Sequence, residues 1–97
     1  MKGSVAIQVL PFTEVDDITD KVDKVIYYIE STGLSYEVGP FETTVEGEFD
    51  QLMDLIKECN KIMLDEDLDG FMCYTKISFM KDAEAWTSEK KTKKFRK

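Results

Sequence analysis

The sequence contains no histidine, only two cysteines, two prolines, one tryptophan and a single arginine. Lacking histidine, it has no side chain of the kind that usually serves as a general base near neutral pH. Ser-His and Cys-His nucleophile pairs and most zinc sites are excluded with it. The lone arginine, Arg96, stands in the C-terminal stretch, so an acylphosphatase-like phosphate cradle with an arginine in its loop has no candidate. Cys59 and Cys73 fall at apolar positions of the patterns described below and read as buried, reduced thiols. Long hydrophobic runs are missing too. The N-terminal stretch Val5 to Leu10 is stopped by Pro11, too short for the core of a signal peptide or for a membrane span. A cytoplasmic protein with no membrane partner is expected.

What is present suffices for one domain. A chain of 97 residues with 42% hydrophobic and 34% charged residues can fill a single core. So small a domain buries only about 60 to 68% of its unfolded surface, so a partner subunit would add useful burial. Charge is unevenly spread: residues 1–80 carry 6 basic and 17 acidic groups, whereas residues 81–97 carry 7 basic and 3 acidic. An acidic body repels phosphate backbones, which argues against a nucleic-acid partner and suits a cationic small molecule better. The expected organisation is a domain over residues 1–80 and a basic, partly helical tail over 81–97, in which Trp86 and Phe95 could pin a short helix.

The hydrophobic pattern orders the elements. Ser4 to Leu10 alternates as a strand that Pro11 is expected to end. Ile18, Val22, Val25, Ile26 and Ile29 recur at helical spacing between about Asp17 and Thr32, with Gly33 suited to a left-handed cap. Tyr36 and Val38 lead into Gly39-Pro40, after which Phe41, Thr43 and Val45 alternate with Glu42, Thr44 and Glu46 as the second arm of a hairpin. Phe49, Leu52, Met53, Ile56, Cys59, Ile62 and Met63 form the stripe of a second helix, and Phe71 to Met80 alternates as a long last strand.

This order predicts an α+β, ferredoxin-like βαββαβ fold, an antiparallel sheet with both helices on one face. The expected core is Val5, Ile7, Val9, Val25, Ile29, Phe49, Leu52, Ile56, Phe71 and Ile77, with Phe41 also turned toward the helices. The other sheet face then carries Ala6, Gln8, Leu10, Thr44, Met72, Tyr74 and Met80, too apolar for water alone, and a second subunit is expected to cover it.

Asp65 to Gly70 copies the first half of an EF-hand loop, but Lys76 stands where a bidentate glutamate is needed, and the following residues alternate as a strand. The stretch reads as an acidic connection, and no metal site is assigned. Glu30, Glu37, Glu42, Glu46 and Glu48 could pair as acid and base, yet hairpins and helix starts are commonly acidic for solubility, so no catalytic residue is assigned. The basic tail lacks the interleaved aromatics of a nucleic-acid arm.

The segment from Tyr36 through Glu37-Val38-Gly39-Pro40-Phe41-Glu42-Thr43-Thr44-Val45-Glu46-Gly47-Glu48 to Phe49 is more distinctive than its physics requires. It resembles the small thiamine-binding protein family related to YkoF. Val5-Ala6-Ile7-Gln8-Val9, Ser31-Thr32-Gly33-Leu34 and Ile56-Lys57-Glu58-Cys59 are similar to the same family, so the resemblance covers about residues 4–80. It implies a ferredoxin-like subunit, dimers paired into a homotetramer, and a site for thiamine or its hydroxymethylpyrimidine half, bound as a ligand and not as a catalytic cofactor. The basic tail is the departure from the family pattern.

Thiamine has a cationic thiazolium, which an acidic, aromatic-lined pocket attracts, and an aminopyrimidine edge that needs amide, hydroxyl or carboxylate partners. Gln8, Thr44 and Glu46 offer such groups on the open sheet face, Thr43 points the other way, and Tyr36 lines one rim or the other; these five are the candidate ligand-binding residues. Non-catalytic binding by a carrier or sensor is one reading. A regulatory or structural ferredoxin-like oligomerisation module without that ligand is the other.

Overall fold

A computed structural model describes residues 1–81. Strand β1 (Lys2–Phe12), helix α1 (Val15–Ser31), strands β2 (Ser35–Val38) and β3 (Thr43–Glu48), helix α2 (Phe49–Asp65) and strand β4 (Gly70–Phe79) follow in that order. The strands form one antiparallel sheet in the order β2-β3-β1-β4. α1 and α2 touch each other and both rest on β1. This is the expected ferredoxin-like α+β fold. The helix expected in the tail lies outside the described residues. Among those residues no helix is long and apolar enough to cross a membrane.

Strand parity decides the layers. Val5, Ile7 and Val9 point toward the helices and are buried, while Leu10 and Phe12 on the opposite parity are exposed. Across the helices, Val25 and Ile29 of α1 meet Leu52, Leu55, Cys59 and Met63 of α2, all buried, and Val45 of β3 closes the core. Full burial of a large aliphatic side chain stabilises by roughly 1.5–3 kcal/mol, so this single contiguous cluster supplies most of the favourable term. α2 starts where the Gln51 side-chain oxygen accepts the Glu48 backbone N–H at 3.1 Å and Asp50 sits in the first turn. α1 ends where the Thr32 hydroxyl donates to the Ile29 carbonyl at 2.6 Å and Gly33 takes φ 76°.

Four expectations need correction. Pro11 does not end β1: it lies inside the strand opposite Phe71. The pairing of β1 with β3 runs only to Ile7, so from there on β1 has one ladder partner, and a missing N–H is tolerated on its unpaired side. Phe41 is not on a strand but in the β2–β3 turn, 78% exposed. Ile77 faces the helix side, opposite Val5, yet is 54% exposed because β4 is the sheet edge and overhangs the helix layer. Phe49, in the first turn of α2, is 49% exposed and leans on Phe79 instead of entering the core. Ile56 and Phe71 are partly buried against the core.

Candidate functional site

The site begins with a turn. Between β2 and β3 the residues Gly39-Pro40-Phe41-Glu42 reverse the chain, and the Gly39 N–H donates to the Glu42 carbonyl at 2.9 Å. A Cβ on Gly39 would lie 2.9 Å from that same oxygen, so the tight form of the turn needs glycine there. Pro40 fixes its own φ and stiffens the tip.

This turn overhangs a cleft of about 150 Å³ between the end of the sheet and α1. Val22, Val25, Ile26 and Ile29 of α1 form one wall, and Ile7 and Val9 of β1 form the floor. Val38, Pro40 and Phe41 make the overhang, and Gln8, Glu42 and Thr43 bring the polar groups. Thr43, only 7% exposed, is the buried polar side chain of the described core. Glu42 is the ionisable residue among the described lining residues, and its Oε2 lies 3.5 Å from Lys76 Nζ, which reaches over from β4. An apolar slot with a buried hydroxyl in its wall and an acidic residue at its rim can hold a flat heteroaromatic ring.

The five candidate residues divide between the two faces. Thr44, opposite Ala6, and Glu46, opposite Ser4, lie on the open face. Gln8, opposite Tyr74, shares that face and also borders the cleft. Thr43 is inside, on the cleft wall. Tyr36 pairs with Val45 and so lies on the helix side, where its hydroxyl donates to Glu30 Oε2 at 3.3 Å; desolvation, with the Glu30 carboxylate beside it, pushes its phenol above the ordinary value. Gln8 and Thr43 therefore both border the cleft but present their side chains to opposite faces of the sheet, and Thr44, Glu46 and Tyr36 are not among its described lining residues.

Glu42 is the residue that pattern reading passed over. Nothing in the local pattern separates it from the other acids of the hairpin; its place beside the cleft comes from the turn that folds over α1. Glu42 lies one residue before the last β1–β3 pair, Ile7–Thr43, and borders the same cleft as Gln8.

The family model described as thiamine-binding protein matches residues 5–96. The chain belongs to this family. This thiamine-binding family member is 40% identical over 93 residues to the UPF0045 protein CPE1503 of Clostridium perfringens, covering 96% of each chain. Among solved structures it is similar to TM0486 of Thermotoga maritima, a candidate thiamine biosynthesis or salvage protein, with 36% identity, a TM-score of 0.78, and coverage of 99% of this chain and 100% of that one. Protein SP2199 of Streptococcus pneumoniae is also 36% identical, with a TM-score of 0.80 over 93% of this chain and 97% of that one. These neighbours share the ferredoxin-like fold.

Proposed function

We propose that this protein binds thiamine or its hydroxymethylpyrimidine half without transforming it, as a cytoplasmic carrier or sensor, and that it works as a homotetramer built from two dimers. One observation carries the reading: an otherwise apolar cleft is bordered by Gln8, Glu42 and the buried Thr43 in a chain of the thiamine-binding family. The Thr43 hydroxyl inside the cleft and the Gln8 amide on the open side of the sheet offer the kinds of donor and acceptor an aminopyrimidine needs, and the Glu42 carboxylate suits a thiazolium. The size of the cleft narrows the pose. Its 150 Å³ is about half the lower end of ordinary drug-sized pockets, roughly 300 Å³, so it takes one ring and leaves the other outside, over the open face near Thr44 or against a neighbouring subunit. Non-catalytic binding agrees with the lining, where the carboxylate is already engaged by Lys76 and no histidine exists in the chain to share a proton.

Leu10, Met72 and Tyr74 stand exposed side by side on the open face, which favours a second copy there. The same observation would serve an oligomerisation module without a ligand. Titration calorimetry with thiamine and with hydroxymethylpyrimidine separates the two. Heat from either ligand, weakened about 5- to 150-fold by Gln8→Ala or Thr43→Val, supports the carrier reading; no heat from either overturns it. Sedimentation of wild type and Met72→Glu tests the assembly: a tetramer that the variant breaks supports it, and a wild-type monomer at micromolar concentration refutes it.

A further inference from the structure

Lys76 and Ala6 form one cross-strand row with Thr44, in which Lys76 pairs with Ala6 and Ala6 with Thr44. The middle member is an alanine, so nothing tall stands between the edge strand and β3. The Lys76 side chain crosses this gap over the open face and ends 3.5 Å from Glu42 Oε2 at the cleft mouth. The pair is lopsided: the lysine side chain is 78% exposed and the carboxylate 33%. An exposed lysine on a half-buried acid is held weakly, since such surface pairs contribute about 0–1 kcal/mol.

We infer that Lys76 is a tethered competitor for the Glu42 carboxylate and sets the charge selectivity of the cleft, so that a cationic heteroaromatic ligand must displace it and a neutral one need not. This rests on the proposed binding role. With the cleft empty, the ammonium neutralises the carboxylate at its mouth. A thiazolium entering that position takes over the carboxylate and faces repulsion from the displaced ammonium, whereas a neutral pyrimidine leaves the ion pair intact. Lys76 therefore lowers the affinity for cationic ligands relative to neutral ones, and it does so from a strand that contributes nothing to the described cleft lining.

Calorimetry with thiamine and with neutral hydroxymethylpyrimidine on wild type, Lys76→Met, Glu42→Gln and the double variant decides the matter. Lys76→Met keeps the aliphatic stem and removes the charge, so thiamine should bind about two- to fivefold more tightly while the pyrimidine is unchanged. In the Glu42→Gln background the same substitution should lose at least the part of the gain that comes from freeing the carboxylate. Thiamine binding that is unchanged or weakened by Lys76→Met, or a gain shared equally by both ligands, overturns the inference and leaves the binding role standing. No heat from either ligand with any variant overturns both.

Discussion

The rings of Phe49 and Phe79 meet edge to face, with centroids 5.3 Å apart and planes inclined at 62°. This contact ties the first turn of α2 to the end of β4, at the rim where the helix layer stops covering the sheet. Gly3, opposite Phe79 on β1, leaves the space for that ring: any Cβ there would strike it. An aromatic pair of this geometry contributes about 0.5–1.5 kcal/mol beyond its buried area. A double-mutant cycle on Phe49→Ala and Phe79→Ala, followed by urea denaturation, should give a coupling of about 1 kcal/mol, and additive losses would remove the pair from the account.

Glu66, just after α2, is gripped from α1 by Lys24 at 2.6 Å and Lys21 at 2.9 Å. These hydrogen bonds, Lys24 first and Lys21 second, hold its carboxyl below the usual glutamate value of 4.5. A lowered folded value means that its contribution is complete above the ordinary carboxylate range and is lost as pH falls through the lowered value. Glu66→Gln should therefore be less stable than wild type at neutral pH, and the two urea midpoints should converge as pH falls below the ordinary carboxylate range. High salt should narrow the gap at neutral pH in the same way. A constant gap at all pH values would refute the clamp.

Burial, with smaller contributions from Cys73 and Glu58, pushes the Cys59 thiol up from 9.0 to about 12. A raised folded value gives stability that is present below the unfolded value and declines as pH rises past it. Between about pH 8 and 10 wild type should lose about 1 kcal/mol through this group, a slope that Cys59→Ala should lack. The variant should also be less stable at neutral pH by about 1 kcal/mol, from the volume removed. Parallel alkaline slopes in the two proteins would sink the assignment.

Gly39→Ala tests the turn. The added methyl meets the Glu42 carbonyl, so the turn must open, and Glu42 shifts with it. Stability should fall by about 1 kcal/mol, and affinity for the cleft ligand should fall as well. Loss of stability with unchanged affinity would separate the turn from the site.

The fold was legible because each element repeats its period cleanly. Val5, Ile7 and Val9 announce a one-sided strand, and Leu52, Cys59 and Met63 announce a buried helix stripe. What the pattern could not convey is where coverage ends. Ile77 has the right parity and the wrong position, since an edge strand extends beyond its helices, and Phe41 alternates with its neighbours yet belongs to the turn. The site was partly legible for the same reason. Parity separated Thr43 from Thr44 correctly, but the cleft arises from a turn folding over a helix, a tertiary event that no local period records. Glu42 meets Lys76 of β4, the second strand along from β3 in the sheet order and far along the chain.

β1 is made first and sits between two partners made much later. Its pairs with β4, from Gly3–Phe79 to Phe12–Gly70, join segments from opposite ends of the described chain, and its pairs with β3 also span a whole helix and a strand. Such pairings must meet their loop-closure entropy before any ladder bond rewards them. During synthesis β1 therefore waits without its outer neighbour until β4 has emerged, with the strip of Val5, Ile7 and Val9 open to chaperones and to other nascent copies. The strand that anchors the finished sheet is the one most at risk while the sheet is being made.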